Sequence, residues 1–346
     1  TGVQTCALPI SVFRRWSFSA IHGTREHLWT PLHDATVPVR GGADEVESDV
    51  EREVSNGGPT GLVPAHAGVA VPLAAAPGGT AFGTLVHEVF EVADVADPDL
   101  EAELARVVDD RARSSTAGVG RGELVTGLAA AARTPLGPLV DGRRLADFGR
   151  GDRLAELSFD MPLLDTSNRV AVRHLGAVLL DTLPHGDPQR EYAASIASGR
   201  FDLDLAGYLQ GSIDAVLRVP NADGTYRHVI VDYKTNRLHA PGAADPLAAY
   251  HPSLLPTEMA HADYVLQALL YSVATHRFLR WRMAGYDPDA HLGGIAYLFL
   301  RGMVGDSTPI AEMGDGSSCP YGVFAWRPPA AAVLALDDVL AGRRVA

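Results

Sequence analysis

The stretch that decides the fold is Gly211-Ser-Ile-Asp-Ala-Val-Leu-Arg-Val219, followed by His228-Val-Ile-Val-Asp-Tyr-Lys-Thr-Asn-Arg237. Each part combines a short apolar run with an aspartate, Asp214 in the first and Asp232 in the second. Because side chains alternate along a strand, Asp232 and Lys234 point to the same face. Two carboxylates and an amine on neighbouring strands can hold a divalent metal ion and stabilise charge on a phosphate. The pattern therefore indicates the chemistry of a metal-dependent phosphodiesterase.

Each of these residues also has an ordinary structural interpretation. Asp214 could be a solvent-facing residue at a strand edge, although a buried carboxylate is costly unless a cation or metal lies nearby. Lys234 could be a surface lysine at a strand end, since Asp-x-Lys alone is a frequent pattern. The metal-site interpretation is favoured because Asp214, Asp232 and Lys234 occur together on two apolar strands.

Length and composition are typical of a globular protein with one large domain or two modest ones. The chain has 346 residues, of which 47% are apolar and 21% charged, so it can bury a sizeable core. No run of about eighteen apolar residues occurs, and we therefore expect no membrane-spanning helix. The start of the chain lacks both a Met and a basic segment, so it does not resemble a signal peptide. We expect the chain to begin inside a longer protein.

Charge and cysteine content narrow the class of protein further. A net charge of −13, from 29 basic and 42 acidic residues, argues against a basic domain that coats nucleic acid. It still permits an enzyme whose DNA contacts are local or are supplied by partner subunits. Two cysteines, Cys6 and Cys319, are too few for a four-cysteine zinc or iron–sulfur site. They fit a reducing cytoplasm.

The pattern along the chain divides it in two. We predict an N-terminal segment over 1–79, with an aromatic and basic start and a disordered acidic linker over about 31–60. A domain over 80–346 follows, with an irregular insert at about 164–200. Helices are predicted from residue 80 and over 100–113, 123–132, 264–283 and 330–341, and strands over 153–161, 208–219, 226–234, 293–300 and 323–326. Helices followed by a mixed sheet with a crossover helix indicate an α/β or α+β fold.

Further candidate residues lie outside the two strands. His87 falls in the first helix, where a histidine is more often a core residue than a metal ligand. Glu156 falls in a strand and could simply face solvent. Gln267 and Tyr271 are one helical turn apart and share a face that could reach a phosphate or be a polar fringe. The same helix continues with three arginines that could follow a phosphate backbone or form a solvated helix end: Arg277, Arg280 and Arg282.

Taken in order, these segments resemble the nuclease domains of the RecB family, within the PD-(D/E)xK nuclease superfamily. The resemblance covers about 12–340, interrupted by the acidic linker and the insert. Each motif alone is weak, but the ordered series is specific, above all Asp232-Tyr-Lys-Thr-Asn236 with Tyr297-Leu-Phe-Leu-Arg-Gly-Met303. The other matching segments are Trp16-Ser-Phe-Ser19, Gly83-Thr-Leu-Val-His87, Glu156-Leu-Ser-Phe159, Gly211-Ser-Ile-Asp214, Gln267-Ala-Leu-Leu-Tyr271 and Gly322-Val-Phe324.

The resemblance implies a fold and a metal site. The fold would be α/β and restriction-endonuclease-like, with a mixed central β-sheet flanked by α-helices and further helices at the N-terminal side. His87, Asp214 and Asp232 would bind Mg²⁺, together with the backbone carbonyl of Tyr233. Such a metal neutralises charge on the scissile phosphate and lowers the pKa of a bound water.

The resemblance also implies roles for the remaining candidates. Lys234 would position or activate the attacking water and stabilise the pentacovalent phosphate. Glu156 would support the site or a second metal, and Gln267 and Tyr271 would contact the DNA backbone. Charge would thus be stabilised by cations placed in advance, without covalent catalysis.

We expect from this resemblance a Mg²⁺-dependent DNA exonuclease domain of a RecB-type helicase–nuclease, acting in double-strand-break repair and recombination. It would work in the cytoplasm with RecC-like and RecD-like subunits. This chain contains no P-loop motif, so we assign no ATP-driven unwinding to it. Two alternatives stay open: an AddA-type or stand-alone RecB-family exonuclease, and an inactivated nuclease fold that serves as a DNA-binding scaffold.

Overall fold

The computed structural model describes residues 15–25, 66, 68–112, 117–163, 170–201, 203–314 and 316–343. The acidic linker predicted over 31–60 lies outside these residues. The strands are β1 (Arg15–Trp16), β2 (Arg153–Pro162), β3 (Val170–Ala171), β4 (Asp204–Leu205), β5 (Tyr208–Pro220), β6 (Tyr226–Lys234), β7 (Leu292–Phe299), β8 (Ile310–Glu312), β9 (Ser318–Pro320) and β10 (Val323–Trp326). The helices are α1 (Phe18–Arg25), α2 (Thr80–Val92), α3 (Leu100–Arg111), α4 (Arg121–Arg133), α5 (Val172–Thr182), α6 (Arg190–Ala197), α7 (Leu255–His261), α8 (Tyr264–Arg282), α9 (Pro288–His291) and α10 (Ala330–Leu340).

The central sheet is mixed and has six strands. β5, β6, β7 and β10 are neighbours in that order, and β5 also pairs with β1 and β2. The β5–β6, β2–β5 and β7–β10 pairs are antiparallel, whereas β6–β7 and β1–β5 are parallel. Parallel neighbours need a long crossover connection, which α8 supplies between β6 and β7. The predicted mixed sheet flanked by α-helices is confirmed.

An opening in this sheet follows from the pairing of β5. The β5–β6 ladder ends at Ala215 opposite Val231, and the next residues along are Asp214 and Asp232. β2 pairs along one edge of β5, from Tyr208 to Leu217. β1 therefore lies on the opposite edge, the same edge as β6, and there Trp16 pairs with Leu209. The two aspartates therefore lie at the mouth of a gap between β1 and β6.

Two apolar cores cover the two faces of the sheet. On one face α2, α3 and α4 pack their apolar sides against alternate residues of β5 and β6, including Leu217, Val229 and Val231. On the other face lie α5, α6, α8 and α10. Trp16 belongs to this second core and Leu73 to the first, so residues that precede Thr80 contribute to both cores.

Arg301 fixes the segment that leads into α2. Its guanidinium is buried and donates to the carbonyls of Leu73, Ala76 and Pro77 at 2.6–2.9 Å, and to that of Thr235 at 2.6 Å. A planar guanidinium with five donors can bind several carbonyls at once. The arginine of the Tyr297–Met303 motif thus ties the start of α2 to the residue that follows Lys234.

The predicted insert at about 164–200 differs from expectation, because its described part forms helices α5 and α6. Leu175, Val178 and Leu179 are buried at helical spacing, a signal that the expected irregular structure overlooks. Gly176 allows the two helices to touch, since a Cβ there would lie 2.3 Å from the backbone nitrogen of Ala197. In the described part of the chain, no helix combines the length and apolarity that a membrane crossing requires.

Candidate active site

Asp214 and His87 meet at the mouth of the gap. One face of α2 is buried through Val86, Val89 and Phe90, which brings His87 against β5. Nδ1 of His87 lies 3.0 Å from Oδ1 of Asp214, and Oδ2 accepts a 2.7 Å hydrogen bond from the backbone N–H of Tyr233. The structure therefore brings together two predicted ligands that are 127 residues apart.

These contacts keep the Asp214 carboxyl ionised. Burial by itself raises the pKa of this carboxyl, but His87, the Tyr233 N–H and Lys234 outweigh burial, so the pKa lies below its ordinary value. An ionised carboxylate near the protein surface is the form that a divalent cation binds.

Asp232 and Lys234 form a second pair, deeper in the gap. Nζ of Lys234 lies 2.8 Å from Oδ2 of Asp232, and the two side chains are 0% and 1% exposed. Charges buried this deeply persist only when they are paired. Lys234 is also the single lysine among the 346 residues, which otherwise carry arginine as their permanent cation.

Aromatic rings enclose the other side of the Lys234 ammonium group. Nζ lies 4.2 Å from the ring centre of Tyr264 and 5.3 Å from that of Tyr297. The two rings stack on each other with their centres 5.7 Å apart. A cation over a tyrosine face is attracted by the negative charge of that face. Tyr264 and Tyr297 therefore help to hold Lys234 beside Asp232.

Gln267 and Tyr271 lie in this same site. Oε1 of Gln267 accepts from Nζ of Lys234 at 3.4 Å and from the Tyr297 hydroxyl at 2.9 Å, while Nε2 donates to the Tyr271 hydroxyl at 3.1 Å. Both residues are buried, and the ring of Tyr271 meets Phe159 edge-on. The contact between Gln267 and Lys234 could not be foreseen from the sequence; the predicted contact with DNA stays a prediction.

Glu156 lies on β2, next to Asp214 on the neighbouring strand β5. It falls between the pairs formed by Ala155 and Leu157 with β5, and its φ of 52° is unusual for a residue other than glycine. Its Oε1 accepts from the Ser212 hydroxyl at 3.5 Å. This backbone conformation interrupts the alternation of β2 at Glu156.

Glu91 is a site residue that sequence reasoning missed. It follows His87 by one turn of α2 and lies near Glu156. Desolvation of the Glu91 carboxyl group and the neighbouring Glu156 side chain raise the pKa of Glu91 to about 7. The spacing of His87 and Glu91, four residues apart on α2, was the available signal.

Comparison with known proteins identifies the family. A profile of the PD-(D/E)XK nuclease superfamily matches residues 66–318. The chain belongs to this superfamily. As a PD-(D/E)XK nuclease domain it is a hydrolase, and nucleases of this superfamily use divalent metal ions.

Similar proteins support the RecB resemblance. The RecBCD enzyme subunit RecB of Mycobacterium tuberculosis (strain ATCC 25618 / H37Rv) is 45% identical over 314 residues, which are 88% of this chain and 27% of that protein. RecB of Mycolicibacterium smegmatis is 44% identical over 79% of this chain and 25% of its own length. RecB of Escherichia coli (strain K12) is 28% identical over 77% and 19%. The predicted resemblance is confirmed, and the chain spans about a quarter of the length of its mycobacterial relatives.

The donor set of the nuclease site fits a hard divalent cation. Carboxylate and carbonyl oxygens with one imidazole are available from Asp214, Asp232, Tyr233 and His87. Within the described ranges, no three His, Cys, Asp or Glu side chains already converge on one point as a metal centre would require. Instead, two of the proposed ligands, His87 and Asp214, contact each other, and Asp232 is paired with Lys234. The N–H of Tyr233, between Asp232 and Lys234 in sequence, donates to Asp214.

Proposed function

We propose that the chain is the Mg²⁺-dependent nuclease domain of a RecB-type helicase–nuclease. It hydrolyses phosphodiester bonds in DNA as an exonuclease, during double-strand-break repair and recombination. The observation that carries this proposal is the buried Lys234–Asp232 pair beside Asp214, at the point where β5 and β6 separate. Every proposed ligand lies within 80–346, the range that we propose as the nuclease domain.

The metal would be held by Asp214, Asp232, His87 and the Tyr233 carbonyl. Mg²⁺ bound there would neutralise charge on the scissile phosphate and lower the pKa of a water molecule. His87 already touches Asp214, so ligation requires the pair to share a cation in place of their mutual contact. Asp232 contributes a carboxylate whose charge is offset by Lys234 in the free protein.

Lys234 supplies the positive charge that the protein itself brings to the phosphate. Its ammonium group orients the attacking water and stabilises the oxygens of the pentacovalent phosphate. Tyr264 and Gln267 fix this group in advance, so little reorganisation is needed when charge develops. Glu156, which raises the pKa of the neighbouring Glu91, would support the site or a second metal.

DNA would enter the gap between β1 and β6. Gln267 and Tyr271 are buried on α8 next to Lys234, and we propose that they contact the DNA backbone there. The net charge of −13 requires that such contacts be local. We propose RecC-like and RecD-like subunits as partners in the cytoplasm, which would deliver the strand to be cut; the mycobacterial relatives carry the name of a RecBCD subunit.

The alternatives are less well supported. The similar proteins described above are all RecB subunits, which favours a RecB-type domain over an AddA-type or stand-alone exonuclease. An inactivated scaffold has no need to keep a buried lysine–aspartate pair, which costs free energy to desolvate. His87, Asp214, Asp232 and Lys234 are all present; His87 of α2 contacts Asp214 of β5, and Lys234 contacts Asp232 on β6.

A cleavage assay tests the proposal. End-labelled linear DNA is incubated with the purified chain and Mg²⁺, with Asp232→Ala as the matched control and EDTA as a metal-free control. We expect cleavage by the wild type and none by the variant or with EDTA. The scaffold alternative becomes correct if the wild type cleaves no DNA, alone or assembled with RecC-like and RecD-like subunits, and binds no metal.

A further inference from the structure

Asp263 is a fully buried carboxylate that the proposed chemistry does not use. It immediately precedes α8, and three side chains from other parts of the chain converge on it. Nδ1 of His22 lies 3.0 Å from Oδ2, while the Tyr192 hydroxyl donates to Oδ1 at 3.0 Å and Nε of Arg200 at 2.6 Å. Asp263 thereby joins α1 and the region of α6 to the start of α8.

The backbone at Asp263 shows that these contacts impose a conformation. Its φ of 59° and ψ of 15° are left-handed, which costs an L-residue about 1–2 kcal/mol. The carboxylate makes no capping bond to α8, although aspartate at this position usually caps its helix. The side chain is directed instead to His22, Tyr192 and Arg200, and the first turn of α8 starts from this fixed point.

From Asp263 a short series of contacts leads to Lys234. Its carbonyl accepts from the N–H of Leu266 at 3.0 Å and of Gln267 at 3.4 Å, within the first turn of α8. Tyr264, the next residue, places its ring under the Lys234 ammonium group. Gln267, on the same turn, accepts from that group. A shift of this turn would move both contacts together.

We propose that Asp263 is a positioning residue of the nuclease site, which acts on Lys234 through the first turn of α8. This inference rests on the proposed function, because it assigns Lys234 a part in catalysis. It also gives a role to part of the 164–200 insert and to part of the N-terminal segment. The described part of the 164–200 insert provides Tyr192 and Arg200, which bind Asp263, and the N-terminal segment provides His22, which also binds it. Both regions thus help to position Lys234 through Asp263.

The same helix offers a matched control at its other end. Asp337 on α10 is also a buried carboxylate, and it binds Arg277 and Arg280 of α8 as well as Arg343. Arg277 and Arg280 thus anchor the C-terminal part of α8 to α10. The α8 arginines that bind Asp337 lie at Arg277 and beyond, so its loss should weaken the packing of α8 without moving the first turn.

The first experiment compares Asp263→Asn with Asp337→Asn in the full chain, by steady-state cleavage of DNA with Mg²⁺. We expect Asp263→Asn to lower kcat about tenfold with a change in KM below about threefold, because misplacement of a catalytic group acts on the reacting state. For Asp337→Asn we expect kcat within about twofold of wild type. Equal effects of the two variants on kcat would mean that Asp263 has only a structural role.

The second experiment needs no enzymatic activity. Because Lys234 is the single lysine, ¹³C,¹⁵N-lysine labelling of the chain, expressed with no lysine-containing tag, gives NMR signals from this side chain alone. The Tyr264 ring displaces these signals from the positions of an exposed lysine. We expect Asp263→Asn to move them toward those positions and Asp337→Asn to leave them unchanged.

The outcomes separate this inference from the proposed function. If the wild type fails to cleave DNA but the Lys234 signals respond to Asp263→Asn alone, the function is wrong and the positioning contact is right. If the wild type cleaves DNA and the Lys234 signals of Asp263→Asn match those of the wild type, the positioning inference is wrong. Thermal unfolding of both variants verifies that each remains folded at the temperature of measurement.

Discussion

Asp214 and Asp232 occupy equivalent positions, each one residue past the last pair of β5 and β6, yet their surroundings differ. Asp214 is 15% exposed and is held by an imidazole and a backbone N–H, whereas Asp232 is 1% exposed and is held by an ammonium group. Imidazole can exchange its hydrogen bond for a metal ion. The comparison fits the proposal that Asp214 acts mainly as a metal ligand, whereas Asp232 also neutralises the buried ammonium group of Lys234.

The largest expected effect is that of Asp232→Ala. This change removes a metal ligand and leaves Lys234 without its carboxylate partner. We expect loss of Mg²⁺-dependent cleavage and a fall in the free energy of unfolding of about 3–5 kcal/mol, the usual cost of breaking a buried ion pair. Urea unfolding and the DNA cleavage assay measure the two effects. An unchanged free energy of unfolding would contradict the role of Asp232 as counter-ion.

Asp214→Ala should abolish cleavage as completely as Asp232→Ala does, but it should lower the free energy of unfolding less. It removes an acceptor from the Tyr233 N–H, which costs about 1–3 kcal/mol when the donor stays buried. Calorimetric titration with Mn²⁺ should show lost metal binding in both aspartate variants. A larger loss of stability in Asp214→Ala than in Asp232→Ala would reverse the distinction between the two carboxylates.

Glu91→Gln is expected to change the pH dependence of stability. The folded-state pKa of Glu91 is raised from 4.5 to about 7, so between these values the folded protein binds more protons than the unfolded chain. Stability due to this group therefore falls as pH rises from about 4.5 to 7. Urea unfolding from pH 4.5 to 7.5 should show a smaller fall in the Gln variant. Parallel curves for the two proteins would contradict the raised pKa of Glu91.

The smallest expected effect is that of Asp337→Asn on stability at acid pH. Asp337 lies on α10 and binds the C-terminal part of α8. Burial raises the pKa of Asp337, but Arg277 and Arg343 outweigh burial and lower it below the ordinary value near 4. Its stabilising contribution is therefore present above that ordinary value and is lost as pH falls through the lower, folded-state pKa. Acid unfolding followed by circular dichroism should show a wild-type advantage that shrinks at low pH. An advantage that grows on acidification would contradict the assigned sign.

Much of the fold could be predicted because its central elements have strong local patterns. The alternation in β5 and β6, the turn between them and the apolar run of β7 indicate their strands directly. Asp214 and Asp232 could be placed near each other because the two strands form a hairpin. The α5–α6 pair was not predicted, although the apolar residues of each helix recur at helical spacing. Both helices are short and are separated by turn residues, which hides this spacing.

Other features depend on contacts that local patterns do not specify. Every residue of α8 from Tyr264 to His276 is buried, so the pattern of polar and apolar residues could not reveal which of them meets Lys234. Asp263 looks like an ordinary helix cap until His22, Tyr192 and Arg200 are seen around it. Its partners come from chain segments 63 to 241 residues away, and only the packed structure brings them together.

The most direct test of the central claim is a crystal structure of the chain soaked with Mn²⁺, read by anomalous scattering. We predict one peak at the mouth of the gap, about 2.0–2.6 Å from the oxygens of Asp214 and Asp232 and from His87. The His87–Asp214 hydrogen bond should be replaced by ligation of the metal. The absence of a peak at this position after a soak at saturating Mn²⁺, with His87 still bonded to Asp214, would contradict the assignment of this site as the metal centre of the nuclease.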